Sequence, residues 1–276
     1  PNDIVDYEIE QLRRAGMEFT PDIVVGKTLS YDDLKEQGYR GIFVASGAGL
    51  PRFMDIPGEN YIGVMSSNEY LTRVNLMGAG RQGWKTPVIK GKRVAVIGGG
   101  NTAMDSCRTA RRMGAEEVYI VYRRSEAEMP ARVEEVHHAK QEGVTFLTLH
   151  NPVEYLADEN GRVRAMRLQR MELGEPDASG RRSPVPVEGD IVEVPVDEVI
   201  VSVGVSPNPL IPSTIPGLET TRRGTIVADE ATLETTVPML FAGGDIVRGG
   251  ATVILAMGDG RRAAAAMDRA LSQHDI

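Results

Sequence analysis

The sequence contains a single cysteine, Cys107, among 276 residues. One thiol excludes a disulfide bond within the chain, which suits a reducing compartment such as the cytoplasm. It also excludes an iron–sulfur cluster held by this chain alone, and the CxxC pair of a dithiol reductase. The chain is therefore not expected to reduce dithiols.

Long apolar runs and an excess of basic charge are also missing. No stretch approaches the roughly 18 apolar residues of a membrane span. The start, "PNDIVDYEIEQL", lacks the basic and then apolar segments of a signal peptide. A net charge of −8 and a pI of about 5.2 argue against a nucleic-acid partner. The composition, with 41% hydrophobic residues, allows one large domain or two smaller ones.

The order of apolar and polar segments predicts an α/β protein. Apolar residues at helical spacing predict a helix over residues 3–15, an extended piece follows over 17–25, and Ser30 can cap a helix over 31–37. A buried strand and glycine turn follow over 41–49. Pro51 and residues 56–59 indicate a linker, and Ser67 precedes the helical sequence "NEYLTRVNLM". An α/β domain normally begins with a strand, so this first segment is expected to start within a longer unit.

A second αβ alternation begins at Lys92. The pattern predicts strands over 93–97, 117–122 and 144–149 and helices over 101–113 and 131–141, hence a parallel sheet with right-handed crossovers. "RVRAMRLQRM" and "DIVEVPVDEVIVSVG" predict an antiparallel excursion with the polar tip "GEPDASGRRSP", and then a return strand. After a proline-rich linker over 207–217, "TIVAD", "MLFAGGD" and a helix over about 252–271 complete the chain.

Three adjacent glycines interrupt "RVAVIGGGNTAMD", between a predicted strand and a predicted helix. Gly98, Gly100 and Ala103 form a GxGxxA pattern, which in this context predicts a dinucleotide-binding turn. Gly98 allows the tight turn, Gly100 lets a pyrophosphate approach the main chain, and Ala103 lets helix and strand pack closely. The unpaired N–H groups of the helix start then face the phosphates. A tight turn without a ligand is the alternative.

The end of the next predicted strand indicates which dinucleotide binds. An NAD site usually has Asp or Glu there, for the ribose 2′-hydroxyl, whereas this strand ends in Arg123 and Arg124. Guanidinium groups pair well with phosphate, so the sequence predicts a 2′-phosphate site and NADP(H). Arg132 is a candidate third contact. The alternative is that these arginines are solvated.

A different pattern lies in "TVPMLFAGGDIVRGGATVILAMGDGRRAAAAM". A strand ends at Gly243 and Gly244, Asp245 follows, and a glycine loop leads into a helix with a small-residue face. Such an acid can hold the ribityl hydroxyls of a flavin, and the helix start can face the electron-rich edge of its ring. An ordinary buried β–α unit explains the spacing equally well.

These segments together resemble the small (beta) subunit of NADPH-dependent glutamate synthase and its relatives. The relatives include the large subunit of NADH-dependent ferredoxin:NADP oxidoreductase and the flavin-containing half of dihydropyrimidine dehydrogenase. The resemblance also includes "VASGAG", "IPGE", "GAEEVYIVYRRSEAEMPAR", "LQRMELGEPDASGRR" and "VIVSVGVSPNP", and spans nearly the whole chain. It implies a disulfide-reductase-like, two-domain flavoprotein in which an NADPH domain interrupts an FAD domain.

The resemblance also implies domain boundaries and site residues. Residues 1–55 and 207–276 are expected to form the FAD domain, and residues 56–206 the NADPH-binding domain. The NADPH site is expected to include Gly98, Gly100, Asn101, Thr102, Arg123, Arg124, Arg132 and Gly204. The FAD site is expected to include Ser46, Gly47, Gly244, Asp245, Thr252 and Val253.

The family has a cysteine-rich iron–sulfur region and a further GxGxxG turn for FAD, neither of which this sequence contains. The chain is therefore expected to be a fragment, with FAD and iron–sulfur clusters belonging to the full-length parent. The expected activity is hydride transfer between NADPH and FAD, with electrons exchanged through the parent's iron–sulfur centres. The alternative is an NADP(H)-binding or assembly module without turnover. Expected partners are the missing N-terminal region and a glutamate synthase large subunit or other electron-transfer subunit; a homo-oligomer is a further expectation.

Other polar residues do not form a recognisable catalytic set. Glu134 and His138 are spaced as metal ligands on a helix, but no third ligand is evident, so a solvated helix face is expected. Cys107 lies on the apolar face of the helix after the glycine turn and is expected to be buried and inert. No protein nucleophile or acid–base pair is needed when flavin and nicotinamide exchange hydride directly.

Overall fold

The computed structural model describes residues 2–273. These residues divide into two compact units, the second of which is Gly49–Ser206, with the remainder in the first. The first boundary therefore lies at Ala48, ahead of the residue 55 expected from the sequence. The reason is that Leu50–Pro51 pairs with Val205–Ser206 and thereby joins the second unit.

Helices occur in both units. The α-helices are α1 (Asn2–Arg14), α2 (Tyr31–Glu36), α3 (Ser67–Leu71), α4 (Asn101–Arg112), α5 (Val133–Gln141), α6 (Leu210–Thr214), α7 (Asp245–Arg248) and α8 (Val253–Gln273). A π-helical turn over Thr72–Leu76 extends α3, and a short 3₁₀ turn spans Glu126–Glu128. Ser30 caps α2 as expected, because its hydroxyl accepts a hydrogen bond from the Asp33 N–H at 3.0 Å.

The strands form four small sheets within the described residues. The strands are β1 (Ile42–Val44), β2 (Leu50–Pro51), β3 (Val64–Ser66), β4 (Arg93–Ile97), β5 (Glu117–Tyr122), β6 (Thr145–Thr148), β7 (His150–Ala157), β8 (Val163–Pro176), β9 (Arg182–Pro195), β10 (Glu198–Val201), β11 (Val205–Ser206) and β12 (Leu240–Ala242). The largest sheet is parallel, in the order β3-β10-β4-β5-β6, and β7-β8-β9 form an antiparallel sheet.

The second unit has a core on each face of its parallel sheet, because side chains alternate along a strand. On one face Val94 and Val96 pack in a cluster with Met104 and Cys107 of α4. On the other face Ile97 packs in a cluster with Met166 and other residues of the antiparallel sheet. Each fully buried apolar side chain stabilises the fold by about 1.5–3 kcal/mol. The two cores hold the carboxyl ends of the strands in fixed positions.

The first unit contains the parallel pair β1 and β12. Val44, Leu240 and Ile246 belong to one apolar cluster, while Phe241 and Ala263 of α8 belong to a second. The parallel pairing places the residues that follow β1 beside those that follow β12.

Isolated bridges lie at Val25, in the expected extended piece, and at Ile226 and Ala228, in "TIVAD". Other sequence expectations differ from the structure. The helix expected from residue 131 begins at Val133, since Arg132 has an extended backbone and serves as its N-cap. Strand β7 was not predicted, because Pro152 and its polar neighbours resemble a loop.

Candidate functional site

A cavity opens at the carboxyl ends of β4 and β10. From β4 the chain continues outward to β5 and β6, whereas β10 pairs on the other side of β4, so the sheet order reverses at this point. Ligands of open parallel sheets bind in the crevice at such a switch point. Gly98–Gly100 follow β4, and Ser202–Gly204 follow β10. Both segments line the cavity, whose volume is about 530 Å³.

Two of the three glycines are required by their protein neighbours. Gly98 has φ +139°, and a Cβ there would lie 2.2 Å from the carbonyl oxygen of Ser202. A Cβ on Gly99 would lie 2.8 Å from the ring of Tyr122. Neither position accommodates a side chain unless its neighbours move.

Gly100 has no such protein neighbour. Its φ of −92° is available to any residue, and a Cβ at this position would have the Pro130 Cγ as its nearest heavy atom, at 4.0 Å. Asn101 and Thr102 are the first two residues of α4, so their N–H groups have no intrahelical acceptor. Open space beside a helix N-terminus suits a pyrophosphate, so the residues present fit a dinucleotide.

The loop before α5 is held against this turn. The Asn101 side-chain oxygen accepts a hydrogen bond from the Arg132 N–H at 2.9 Å, and the Ala131 N–H donates to the Gly99 carbonyl at 3.1 Å. The Arg132 backbone is thus beside the turn, but Arg132 is exposed and is not among the cavity-lining residues. Its expected contact with the nucleotide stays a prediction.

The two arginines after β5 have different surroundings. Both line the cavity, but Arg123 is exposed and forms no hydrogen bond or ion pair with any residue between 2 and 273. The Arg124 side chain is only 7% exposed. Its Nη2 donates to Asp177 at 2.6 Å and its Nε donates to the Arg182 carbonyl at 2.8 Å. Arg124 therefore joins the end of β5 to the β8–β9 hairpin.

Three further polar residues of the cavity were not predicted. Arg181, at the tip of the β8–β9 hairpin, lines the cavity, as does His150, whose Nδ1 lies 2.7 Å from the Thr148 carbonyl oxygen. Ser202 is buried on the wall, and its hydroxyl has no hydrogen-bond partner in the described part of the chain. The polar tip containing Arg181 was visible in the sequence, but the folding of that tip onto the cavity was not.

The first unit brings together the other predicted residues. Ser46 and Gly47 follow β1, while Gly244 and Asp245 follow the adjacent strand β12; the Gly243 N–H donates to the Val44 carbonyl at 3.1 Å. One Asp245 carboxylate oxygen accepts a hydrogen bond from the Ala251 N–H at 3.1 Å, which fixes the loop before Thr252 and Val253. Exposed hydroxyls on Ser46 and Thr252, with the second oxygen of Asp245, fit a polyhydroxylated chain such as the ribityl of a flavin.

Asp259 of α8 holds the turn after β12 and was not predicted. Its carboxylate is buried and accepts from the Gly244 N–H at 2.9 Å, from Arg248 at 2.7 Å and 2.6 Å, and from Arg262 at 2.5 Å. The hydrogen bonds from Arg248 lower the pKa of Asp259 well below its usual range. The ionised carboxylate thus fixes the backbone conformation at Gly244.

The remaining candidates have simple surroundings. Glu134 and His138 are exposed on α5, and residues 2–273 contain no cluster of three or more potential metal ligands. Cys107 is buried in the core, and burial raises the pKa of its thiol to about 12, so the thiolate is not available at neutral pH. Within the described range, every helix is too short or too polar to cross a lipid bilayer.

Comparison with known proteins identifies the class. Residues 9–266 match the family described as pyridine nucleotide-disulphide oxidoreductase. The chain therefore belongs to the pyridine nucleotide-disulphide oxidoreductase family. This membership confirms the disulfide-reductase-like α/β flavoprotein fold expected from the sequence. It also confirms the expectation that the chain belongs to a family of oxidoreductases.

Two relatives within this family are similar to nearly the whole chain. The chain is 42% identical over 276 residues to the NADP(+)-dependent formate dehydrogenase subunit beta of Moorella thermoacetica, covering 99% of this chain and 37% of that protein. It is 42% identical over 266 residues to the putative glutamate synthase [NADPH] small chain of Cereibacter sphaeroides, covering 95% of this chain and 63% of that protein. The resemblance to the glutamate synthase small-subunit family is thus confirmed, and the chain spans less than two thirds of each of these relatives.

A solved structure shows the same fold. The His57Gln mutant of FprA from Mycobacterium tuberculosis superimposes with a TM-score of 0.75 at 22% identity, covering 98% of this chain and 73% of that chain. The expected cofactors are NADP(H) and, in the full-length parent, FAD; the family match confirms both at the level of the family.

Proposed function

We propose that this chain is the NADP(H)-binding part of a flavin-dependent oxidoreductase that passes hydride between NADPH and FAD. In the proposed site, Gly98, Gly100 and the helix N–H groups of Asn101 and Thr102 hold the pyrophosphate, while Arg123 binds the 2′-phosphate. Gly204 lines the same cavity as Gly98, Gly100, Thr102 and Arg123. The observation that carries the proposal is the open space beside Gly100 at the start of α4, where no protein neighbour requires a glycine.

The first unit is proposed to contact FAD through Ser46, Gly47, Gly244, Asp245, Thr252 and Val253. A bound nicotinamide and flavin together supply two-electron redox chemistry. The chain's own residues bind and orient these groups, and Asp259 keeps the Gly244 turn in place. Cys107 is the chain's single thiol and is buried, so electrons are proposed to continue through iron–sulfur centres elsewhere in a longer parent protein.

The names of the relatives support a proposal about the partner of this chain. Two of them are named as a beta subunit and a small chain, which supports assembly of this chain with a glutamate synthase large subunit or another electron-transfer subunit. A cytoplasmic location is proposed, since the single cysteine suits a reducing compartment.

The pyrophosphate site is tested by replacing Gly100 with Val and measuring NADPH binding by titration calorimetry. The valine side chain fills the space proposed for the pyrophosphate, so binding should be lost while circular dichroism and thermal unfolding show a folded protein. Gly49→Val is the matched control, because Gly49 has an ordinary φ, open space around its Cβ, and a position outside the cavity. Undiminished NADPH binding by Gly100→Val contradicts the proposal.

Hydride transfer is separated from simple nucleotide holding by the flavin. A purified chain that retains yellow flavin absorbance and reduces a dye with NADPH supports the redox proposal. A colourless chain that binds NADPH and remains inactive after added FAD supports the alternative, an NADP(H)-binding or assembly module.

A further inference from the structure

We propose that the tip of the β8–β9 hairpin, residues 177–181, is a second arm of the nucleotide site, and that Arg181 binds the 2′-phosphate of NADPH together with Arg123. This inference rests on the proposed function, because it names a specificity residue within the proposed NADP(H) site. Arg123 directly follows β5, whereas the hairpin tip with Arg181 lies more than fifty residues later in the chain.

The hairpin tip is ordered by its own hydrogen bonds. The Asp177 N–H donates to the Arg181 carbonyl at 2.7 Å, and the Gly180 N–H donates to the Asp177 carbonyl at 2.8 Å. One Asp177 carboxylate oxygen also accepts from the Ser179 N–H at 2.8 Å and from the Ser179 hydroxyl at 2.5 Å. Gly180 has φ +79°, a conformation that glycine adopts without strain. The turn therefore presents its side chains in defined directions.

Arg124 fastens this tip to the end of β5. Its guanidinium pairs with the second carboxylate oxygen of Asp177 at 2.6 Å and also reaches the Arg182 carbonyl at 2.8 Å. With the side chain only 7% exposed, this contact is shielded from competing water. Arg124 is thus a positioning residue: it neutralises Asp177 and places the tip at the cavity.

Arg181 is left with donors to offer a ligand. Its Nε donates to the Ser179 hydroxyl at 3.0 Å, which orients the guanidinium plane, and neither terminal nitrogen has a partner within residues 2–273. Arg181 and Arg123 line one cavity, and neither pairs with a carboxylate among the described residues. Two uncompensated guanidinium groups favour a dianionic phosphate, and their donor geometry suits its oxygens. NADH lacks this phosphate, so the pair selects NADPH.

The test compares NADPH and NADH binding by titration calorimetry for the wild-type chain and Arg181→Gln. Loss of a charge-assisted contact should weaken NADPH binding by about tenfold or more, while NADH affinity changes by less than about twofold. Raising the salt concentration should weaken NADPH binding less in the variant than in the wild type, since one phosphate-directed charge is gone. Arg170→Gln is the control: it removes the same charge from β8 at an exposed position outside the cavity.

A second variant tests the orientation of Arg181. Ser179→Ala keeps the charge of Arg181 but removes the hydroxyl that accepts from its Nε and donates to Asp177, so a smaller loss confined to NADPH is expected. Equal losses of NADPH and NADH binding in Arg181→Gln would assign the tip a structural role and overturn the inference. An unchanged NADPH-to-NADH ratio in Arg181→Gln overturns it as well. If the wild-type chain binds neither nucleotide, the proposed function fails, and this inference with it. If it binds both equally, the 2′-phosphate roles of Arg123 and Arg181 fail, whereas the proposed pyrophosphate site stands.

Discussion

Gly98 and Gly100 belong to one turn but are glycines for different physical reasons. A side chain on Gly98 meets the Ser202 carbonyl at 2.2 Å and must adopt a φ of +139°, whereas Gly100 faces open space with an ordinary φ. The first glycine is therefore required by the fold, whereas no protein neighbour requires the second, which we propose lies beside a bound pyrophosphate. This distinction separates stability from binding at two positions of the same short turn.

Gly98→Ala is predicted to destabilise the second unit strongly, whereas Gly100→Ala should leave its stability nearly unchanged. Strained φ and the clash with Ser202 together should cost Gly98→Ala about 3 kcal/mol or more. Urea unfolding followed by the fluorescence of Trp84, the chain's single tryptophan, reports on this unit. Equal stability of the two variants would contradict this account of the turn.

Glu198 is a buried acid at the beginning of β10, at the end of the sheet opposite the cavity. One carboxylate oxygen accepts from the Gly91 N–H at 3.0 Å, and the other has no partner in the described part of the chain. Burial raises the pKa of Glu198 to about 7. Burial, together with the charge of Glu198, raises the pKa of the Tyr70 phenol as well. Both groups are therefore neutral in mild acid.

This pKa predicts that the second unit is more stable near pH 5 than near pH 8. The raised pKa means that the folded state holds the proton more tightly than the unfolded state, whose Glu titrates near 4.5. The stabilisation is fully present below pH 4.5 and is lost as pH rises through about 7, a change of about 3 kcal/mol. Glu198→Gln should remove this component of the pH dependence. Urea unfolding of both proteins at several pH values measures the difference, and parallel profiles would contradict the prediction.

At the residue scale, the sequence predicts a nucleotide-binding turn and two arginines beside it, but not the different surroundings of the two arginine side chains. Arg123 and Arg124 are adjacent and chemically identical in the sequence. The Arg123 side chain is exposed at the cavity, whereas the Arg124 side chain is hydrogen-bonded to the β8–β9 hairpin. Asp177, the partner of Arg124, lies 53 positions away, so no local pattern indicates the pair. Pairing between distant residues depends on topology, which residue spacing alone does not specify.

At the scale of elements, the central strands of the parallel sheet were the most predictable. After a charged first residue, β4 and β5 are apolar runs because helices or a second sheet cover both faces, and their observed bounds match the expected ones. β7 was missed because Pro152 and Asn151 favour loops, although pairing with β8 keeps this segment extended. The π-helical turn after α3 was also missed, since its sequence continues the helical pattern.

The junction of β12, α7 and α8 depends on Asp259 in the same unit. Asp259→Ala removes the acceptor of the Gly244 N–H and the carboxylate that pairs with Arg248. The free energy of unfolding should therefore fall by about 2 kcal/mol. Asp259→Asn retains an acceptor and should cost less. Thermal unfolding of the two variants measures the difference, with Asp268→Ala, an exposed acid on the same helix, as the control. An alanine variant as stable as the wild type would show that the carboxylate does not hold this turn.

At the scale of the whole molecule, apolar surface is concentrated at the start of α8. Val253, Ile254 and Met257 are 78%, 72% and 60% exposed, and Leu255 lies beside them. Each of these large apolar side chains gains free energy when it leaves water, so together they favour association. The net charge of −8 opposes association by mutual repulsion, and this repulsion weakens with added salt.

The chain is therefore predicted to self-associate through α8, increasingly so at moderate salt. Ile254→Gln combined with Met257→Gln should reduce association, because glutamine preserves helix propensity while removing apolar surface. Ala264→Gln combined with Ala265→Gln is the matched control, since it adds the same polar groups at exposed positions of the same helix. Analytical ultracentrifugation over a range of concentrations measures the effect. The control should associate as the wild type does; a wild-type chain that stays monomeric throughout, or a double variant that associates as strongly, would show that this apolar surface does not drive association.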